Sequence, residues 1–378
     1  MSPPVSIVWF RNDLRLADHP ALQAACRRGG AVLPLFIWAP EEEGAWAPGA
    51  ASKSWLHHSL LRLDERLREK GNSLILLRGP CLKALLQTAK TCGADALFWN
   101  ERIEPAQNRL DEGLRETLAE QGLRVEAFQS AYVHDPDRVR TRGGRPFQVF
   151  TPFWKSGLGS LNAGDPLPEP SRIPAPAKRP PSLRLEELDL LPRKNRTQDF
   201  SSIWEPGEAN ANRRLQTFIN GALANYERGR DTPFEPGTSR LSPHLHFGEI
   251  SARQAWRAIQ DAGPNVPAEQ AGVFLRQLGW REFAGHLLRH FPRTPDEPLR
   301  LSFQKFPWTP DAGRLSAWQE GRTGYPMVDA GMRELRATGW MHNRARMITA
   351  SFLVKDLLQP WQDGARWFWE ALVDADLA

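Results

Sequence analysis

Four short segments in the second half of the chain concentrate side chains that could hold a polar, aromatic ligand. The first is GTSRLSPHLHFGEIS, residues 237–251. Its backbone N–H groups and the hydroxyls of Thr238, Ser239 and Ser242 could hold a pyrophosphate, with Arg240 adding charge. The same residue types read equally well as a helix N-cap and turn. The second is FLRQLGWREF, residues 274–283. Positions three and four apart on a helix share a face, so Phe274, Gln277 and Arg281 align with Trp280 beside them. That face offers an aromatic wall, an amide and a guanidinium. The plainer reading is a helix that packs its aromatics inward and leaves Arg281 in water.

The third segment is GWMHNRARMITASFLVKDLL, residues 339–358. Asn343, Arg346 and Met347 fall on one face and Arg344 lies next to it, which suits a helix whose start faces a polar ligand. An amphipathic helix with solvated charges would look the same. The fourth is DADLA, residues 374–378. Asp374 and Asp376 stand two apart, a spacing that suits a loop better than a helix face. They could ligate a metal, accept hydrogen bonds, or pair with Arg346.

The elements that must position these residues differ between the two halves. Residues 5–10, 31–38, 73–78, 95–99 and 123–128 read as buried strands, with helical patterns at 18–28, 52–70, 80–91 and 106–121 between them. Strands alternating with helices predict a Rossmann-like α/β domain built on a parallel sheet. No GxGxxG follows the first strand, so the dinucleotide fingerprint is absent. Residues 165–181 carry seven prolines, which forbid helix and favour an extended connector. From about 205 onward the pattern is all-α, with helices expected at 208–228, 249–261, 268–290, 326–337, 340–358 and 362–373. The division expected is 1–135 as the α/β domain, 136–204 as an inter-domain linker and 205–378 as a helical domain.

Composition narrows the class. The 378 residues carry a net charge of +5, and 40 of the 49 basic residues are arginine. Arginine's planar fork suits phosphate and carboxylate partners, so a polyanion partner is weakly favoured. Cys26, Cys81 and Cys92 lack metal-ligand spacing and fit a reducing cytoplasm. No metal is expected. Neither a signal-peptide core nor an apolar run of about 18 residues occurs, so the expected protein is soluble and cytoplasmic; a monomer is expected.

In order and spacing, the four segments resemble the photolyase/cryptochrome family. VWFRNDLRL at 8–16 is similar to that family's opening signature, and GYPMVDAGMRELRATGWMHNRARMITASFLVKDLL from Gly324 is the most specific stretch. The resemblance implies an antenna-binding α/β domain and a helical domain that holds FAD. Within it, Tyr226, Thr238, Ser239, Arg240, Leu241, Ser242, Phe274, Arg281, Asn343, Arg346, Asp374 and Asp376 match FAD contacts. Phe274 stands where relatives often carry Trp. Arg346 and Asp374 resemble the family's ion pair beside the isoalloxazine ring.

For a lesion in UV-damaged DNA the matching positions are Arg230, Gln277, Trp280, Asn343, Arg344 and Met347. Gln277 departs from the Glu of many relatives. The pattern most resembles bacterial class III photolyases, which implies repair of cyclobutane pyrimidine dimers by light-driven electron transfer from reduced FAD. A cryptochrome-type blue-light receptor and an inactive fragment are the alternatives. Trp308 and Trp361 match the outer and middle members of the family's photoreduction chain. The inner member and an Asn near flavin N5 would fall after residue 378, so the C-terminal end is expected to be missing. NERIEPAQNRLDEGL at 100–114 matches a stretch near some relatives' folate site, with Ala106 and Gln107 where Asn-Glu is common. The antenna implied is a reduced folate, methenyltetrahydrofolate, with deazaflavin or FMN as alternatives.

Overall fold

The computed structural model describes residues 3–157, 163–191 and 200–378. The first part is a five-stranded, wholly parallel sheet: β1 Val5–Phe10, β2 Ala31–Trp38, β3 Ile75–Arg78, β4 Ala96–Asn100 and β5 Arg124–Phe128. The spatial order is β3-β2-β1-β4-β5. Ile7 of β1 stands level with Leu33 of β2 and with Leu97 of β4. Because side chains alternate across the sheet, Val8 and Phe10 enter one core while Ile7 and Trp9 enter the other. Burial on both faces is why the central strands β1, β2 and β4 read as nearly continuous apolar runs.

Helices α1 (Pro20–Arg28) and α2 (Ala50–Glu69) cover the first face, through Leu22, Leu60 and Leu63. Helices α3 (Cys81–Cys92) and α4 (Pro105–Glu120) cover the second, through Leu85 and Leu114. These four helices and five strands lie within one or two residues of their expected bounds. The chain order reverses at β1, between β2 and β4, which is where α/β sheets leave a crevice at the strand carboxyl ends.

The residues between the two halves do more than connect. A short helix, α5 (Phe150–Lys155), was not foreseen. The proline-rich stretch has no helix from 163 to 184 and lies along the sheet edge. Leu183 N donates to Leu76 O at 2.9 Å, and Asn72 Nδ2 donates to both Val32 O and Ile173 O. An edge strand so covered cannot pair with another chain. Ile173 and Leu188 are fully buried in the α/β core. Residues 158–162 and 192–199 of the expected linker lie outside the described residues.

The second half is helical: α6 (Glu208–Ile219), α7 (Tyr226–Gly229), α8 (Ser242–His246), α9 (Ala252–Gln260), α10 (Ala268–His290), α11 (Ala312–Gln319), α12 (Pro326–Thr338), α13 (Asn343–Ser351) and α14 (Trp361–Ala371). The helix expected over 208–228 is broken. Asn220 caps α6 and Gly221 takes a non-helical conformation, so the chain re-enters through a turn before α7. The helix expected over 340–358 begins only at Asn343, because His342 caps it: His342 Nδ1 accepts from Arg344 N. After Ser351 it widens into a π-helical turn, Phe352–Asp356. Phe247, Trp340 and Val373 from this half join the same core as Val8 and Leu60, so one face of the α/β domain is closed by the helical one.

Candidate flavin and DNA site

The GTSRLS loop is built on a close backbone approach. A Cβ on Gly237 would overlap the carbonyl group of Gly229, so only glycine lets α7 and the loop touch there. Arg240 follows with φ +50°, a left-handed conformation that costs a non-glycine residue about 1 kcal/mol. Its guanidinium lies over the ring of Trp340, 4.7 Å from the centroid. From the other helix, Arg346 also lies over Trp340, at 5.8 Å. Ser242 Oγ accepts from the Trp340 indole N–H at 3.2 Å. One tryptophan that sequence reasoning did not single out therefore joins the loop to α13.

Arg346 is fixed from two sides. Its Nε donates to Met341 O at 2.8 Å and its Nη2 to Asp374 Oδ2 at 2.8 Å. The Asp374 side chain is 2% exposed, against 25% for Arg346. The second Asp374 oxygen, Oδ1, is buried without a partner among the described residues. A buried carboxylate oxygen without a donor is costly, so it marks a place where a ligand donor belongs. Arg346, Met347, Asp374, Asp376, Trp361 and Trp369 line one cleft of about 540 Å³.

Asp376 turns the other way, onto His246 Nδ1 at 3.0 Å. Burial pushes its pKa up, but the His246 hydrogen bond and the charges of His246 and Arg281 outweigh that and hold it at about 2. Arg281 donates to Ala131 O at 2.7 Å and lies over the Tyr132 ring at 4.9 Å. Arg281, Asp376 and His246 also line a small polar cavity of about 50 Å³ that reaches Glu104 and Arg102 at the sheet's carboxyl end.

Thr238, Ser239 and Arg240 line a second cleft of about 580 Å³. Tyr226 and Phe274 line neither large cleft. They are buried edge-to-face at 5.2 Å, with Phe218 against both rings, and burial pushes the Tyr226 hydroxyl up to about 12. Leu241 is likewise buried, in the same cluster. The four groups Arg240, Arg281, Arg346 and Asp374 thus do not share one cavity. Trp340 links Arg240 to the Arg346–Asp374 cleft, and Asp376 links that cleft to Arg281.

The residues matched to DNA form two groups. Arg344 Nε donates to Asp231 Oδ1 at 2.7 Å, and Arg230 shares that carboxylate at 3.4 Å. Arg344 Nη1 reaches Met347 Sδ at 3.4 Å, and Asn343 lies 4.0 Å from the same sulfur. Met347 is 55% exposed. On α10, Trp280 is 47% exposed on one side and stacked on Phe150 of α5 at 3.6 Å on the other. Phe150 thus holds that indole flat and leaves its other face free for a base, as aromatic stacking platforms do. Gln277 Nε2 donates to its own helix, to Val273 O. Among the described residues no hydrogen bond or ring contact joins Gln277 or Trp280 to Asn343 or Met347.

Trp361 is half-buried at the Arg346 cleft. Trp308 lies on an exposed segment packed on Phe306, and Thr309 N donates to Leu358 O, which brings that segment beside the turn preceding Trp361. Gln107 is buried and lines a cavity of only about 60 Å³ at the sheet's carboxyl end, among Glu43, Arg102 and Glu104. Asn108 is engaged by Glu112 and by Arg289 of α10. No helix among the described residues is long and apolar enough to cross a membrane. No group of three or more His, Cys, Asp or Glu among them could hold a metal ion.

Comparison with known proteins gives the family. The DNA photolyase family model matches residues 6–172, and the model for the FAD binding domain of DNA photolyase matches residues 274–378. The chain is 44% identical over 373 residues to the deoxyribodipyrimidine photo-lyase of Agrobacterium fabrum, covering 98% of this chain and 77% of that one. It is 40% identical to cryptochrome-1 of Arabidopsis thaliana, where it spans 56% of the relative's length. The crystal structure of a bacterial class III photolyase from Agrobacterium tumefaciens superposes with a TM-score of 0.95 at 43% identity, over 100% of this chain and 78% of that one. The chain belongs to the photolyase/cryptochrome family.

Proposed function

We propose that this chain is a light-driven DNA lyase that splits cyclobutane pyrimidine dimers with reduced FAD as its cofactor. The single observation that carries the reading is the Arg346–Asp374 pair at the wall of an open cleft, with one carboxylate oxygen buried and unpartnered among the described residues. The residues present fit a flavin: an acceptor for a ring N–H, a cation beside it, and a hydroxyl-rich loop one tryptophan away. When bound and excited by blue light, reduced FAD would supply one electron to the dimer and take it back after the ring opens.

The chain's own residues bind and orient. Arg346 and Asp374 would position the isoalloxazine ring and set the charge beside it, while Thr238, Ser239, Arg240 and Ser242 would hold the phosphates. Asn343, Arg281, Asp376, Tyr226, Leu241 and Phe274 complete the proposed FAD set, the last three as the packed floor beneath the loop. Trp280, backed by Phe150, would stack on the flipped dimer, and Asn343, Met347 and Gln277 would line its pocket. Base flipping is the general route by which photolyases, among other enzymes, reach such a lesion. Gln277 can hydrogen-bond the dimer but carries no full charge and no acidic proton. Arg230 and Arg344 would contact phosphates, so affinity falls with salt. Trp361 and Trp308 would carry electrons between the cleft and the surface. A reduced folate serves as antenna, ahead of deazaflavin or FMN. The protein acts as a cytoplasmic monomer.

The 40% identity to a plant cryptochrome favours the receptor reading. The exposed Trp280, Asn343 and Met347, with the half-buried Arg344 beside them, favour repair. Blue-light irradiation of the FAD-loaded protein with a thymine-dimer oligonucleotide decides between them. Repair restores intact thymines only in light, whereas a receptor shows flavin photochemistry and leaves the dimer whole.

A further inference from the structure

Residues 138–145, RVRTRGGR, place four arginines in a short stretch of the connector before α5. All four are exposed. The stretch closes into a tight turn: Thr141 N donates to Arg145 O at 2.8 Å, Gly144 N to Thr141 O at 2.9 Å, and Arg145 N to Thr141 Oγ1 at 3.1 Å. Gly144 turns the chain with φ +74°, a conformation that glycine adopts at little steric cost. Both arms of this hairpin are tied to α10, the helix that carries Trp280. His286 Nε2 accepts from Phe147 N at 3.0 Å on one arm, and Nδ1 of the same ring lies 3.2 Å from Pro136 O on the other. Burial keeps that ring neutral, so Nδ1–H donates while Nε2 accepts. Arg289 adds a second tie, reaching the Asp137 carboxylate through Nε at 3.0 Å and Nη2 at 2.8 Å.

The carboxylates of this connector are already engaged. Asp137 pairs with Arg289, and Asp135 pairs with Arg138 at 3.2 Å. Arg140 donates through Nε to the backbone Asp137 O at 3.2 Å, and no carboxylate among the described residues pairs with it, with Arg142 or with Arg145. Three forked cations therefore project from a braced turn. No large apolar side chain of residues 136–148 is exposed. A protein partner would want an apolar centre to the interface, whereas phosphates want charge and hydrogen-bond donors, which guanidiniums supply together. Arg145 stands five residues before Phe150, so the turn lies within about 17 Å of the Phe150–Trp280 stack. At about 3.4 Å of rise per base pair, that reach is about five base pairs.

We propose that Arg140, Arg142 and Arg145, presented on this hairpin, hold the phosphates of duplex DNA flanking a lesion stacked on Trp280. The inference rests on the DNA reading for the lesion, while the hairpin itself is assigned to phosphates of any sequence. Helix α10 then serves both contacts. Trp280 meets the base, and His286 and Arg289, about two turns further along, brace the hairpin.

The experiment compares the full chain with its triple variant, Arg140→Gln, Arg142→Gln and Arg145→Gln together. Both are titrated in the dark, by fluorescence anisotropy over a range of salt, with a duplex that extends about ten base pairs, one helical turn, on either side of a thymine dimer. The undamaged duplex of the same sequence is titrated alongside. The hairpin predicts that the triple variant lowers the slope of log affinity against log salt by about 2.7 for both duplexes, at about 0.9 per phosphate. A thymine-dimer dinucleotide, which has no flanking phosphate, binds both proteins with equal affinity in competition. Lysine at the same three positions keeps the slope, and an unchanged thermal midpoint shows that the fold is intact. An unchanged slope in the triple variant, with the dimer still preferred over intact DNA, overturns the hairpin and leaves the repair reading standing. A lowered slope with no preference for the dimer keeps the hairpin and sinks the repair reading. Polyglutamate binding that the triple variant abolishes, with duplex binding untouched, makes the surface a dock for an acidic protein and overturns the proposal too.

Discussion

Removing Arg346 should cost far more than removing its partner, and the difference follows from burial. The Asp374 side chain is 2% exposed and one of its oxygens has no donor among the described residues. Arg346→Ala strips the other oxygen and leaves an uncompensated buried carboxylate, which costs about 3–5 kcal/mol. Asp374→Ala leaves a guanidinium that is a quarter exposed and still donates to Met341 O. Water can solvate it, so the loss is about 1–2 kcal/mol. The double variant removes the orphaned charge and should be more stable than Arg346→Ala alone, a coupling that a double-mutant cycle measures. Urea unfolding of flavin-free protein, followed by tryptophan fluorescence, reads all four forms. Equal losses for the two single variants, or a double variant whose loss is their sum, would refute the argument that Asp374 is buried for a partner's sake.

Other consequences are as concrete. Phe150 is 4% exposed and stacks on the face of Trp280 opposite the free one. Phe150→Ala should destabilise the protein by about 3–5 kcal/mol and weaken binding of dimer-containing DNA beyond that of undamaged DNA, measured by fluorescence anisotropy. His286 is fully buried, and that burial depresses its pKa from 6.5 to about 4. The unfolded chain therefore binds its proton first, so this contribution is intact above pH 6.5, falls as the pH drops towards 4, and is lost below that. The loss is on the order of 3 kcal/mol, and His286→Gln should flatten the pH dependence of unfolding midpoints across that window. Arg344→Ala should reduce the slope of log affinity against log salt by about one for all DNA sequences alike.

Much of the fold was legible because its signals are local. Strands β1, β2 and β4 are buried on both faces and so spell nearly continuous apolar runs, and α10 was placed at its full length by helical spacing. The misses are places where a single backbone event overrides propensity. Gly221 ends what looked like one helix from 208 to 228, and His342 delays α13 by capping it. The residues of the candidate site were legible as types, and the partners that fix them were not. His246 meets Asp376 across 130 positions, Arg281 meets Ala131 across 150, and Trp280 finds Phe150 on a helix that no periodicity announced. Contacts at that separation leave no pattern in one sequence, although HLHFGE and GWMHNR did place His246 and Trp340 inside motifs already singled out.

Electron donation from bound flavin to the lesion is the claim on which the account depends. The excited-state lifetime of reduced FAD in the protein, recorded with dimer-containing and with undamaged DNA of the same sequence, tests it directly. A lifetime shortened by the dimer and unchanged by intact DNA is the predicted result. Equal lifetimes, with both DNAs shown to be bound, would contradict it.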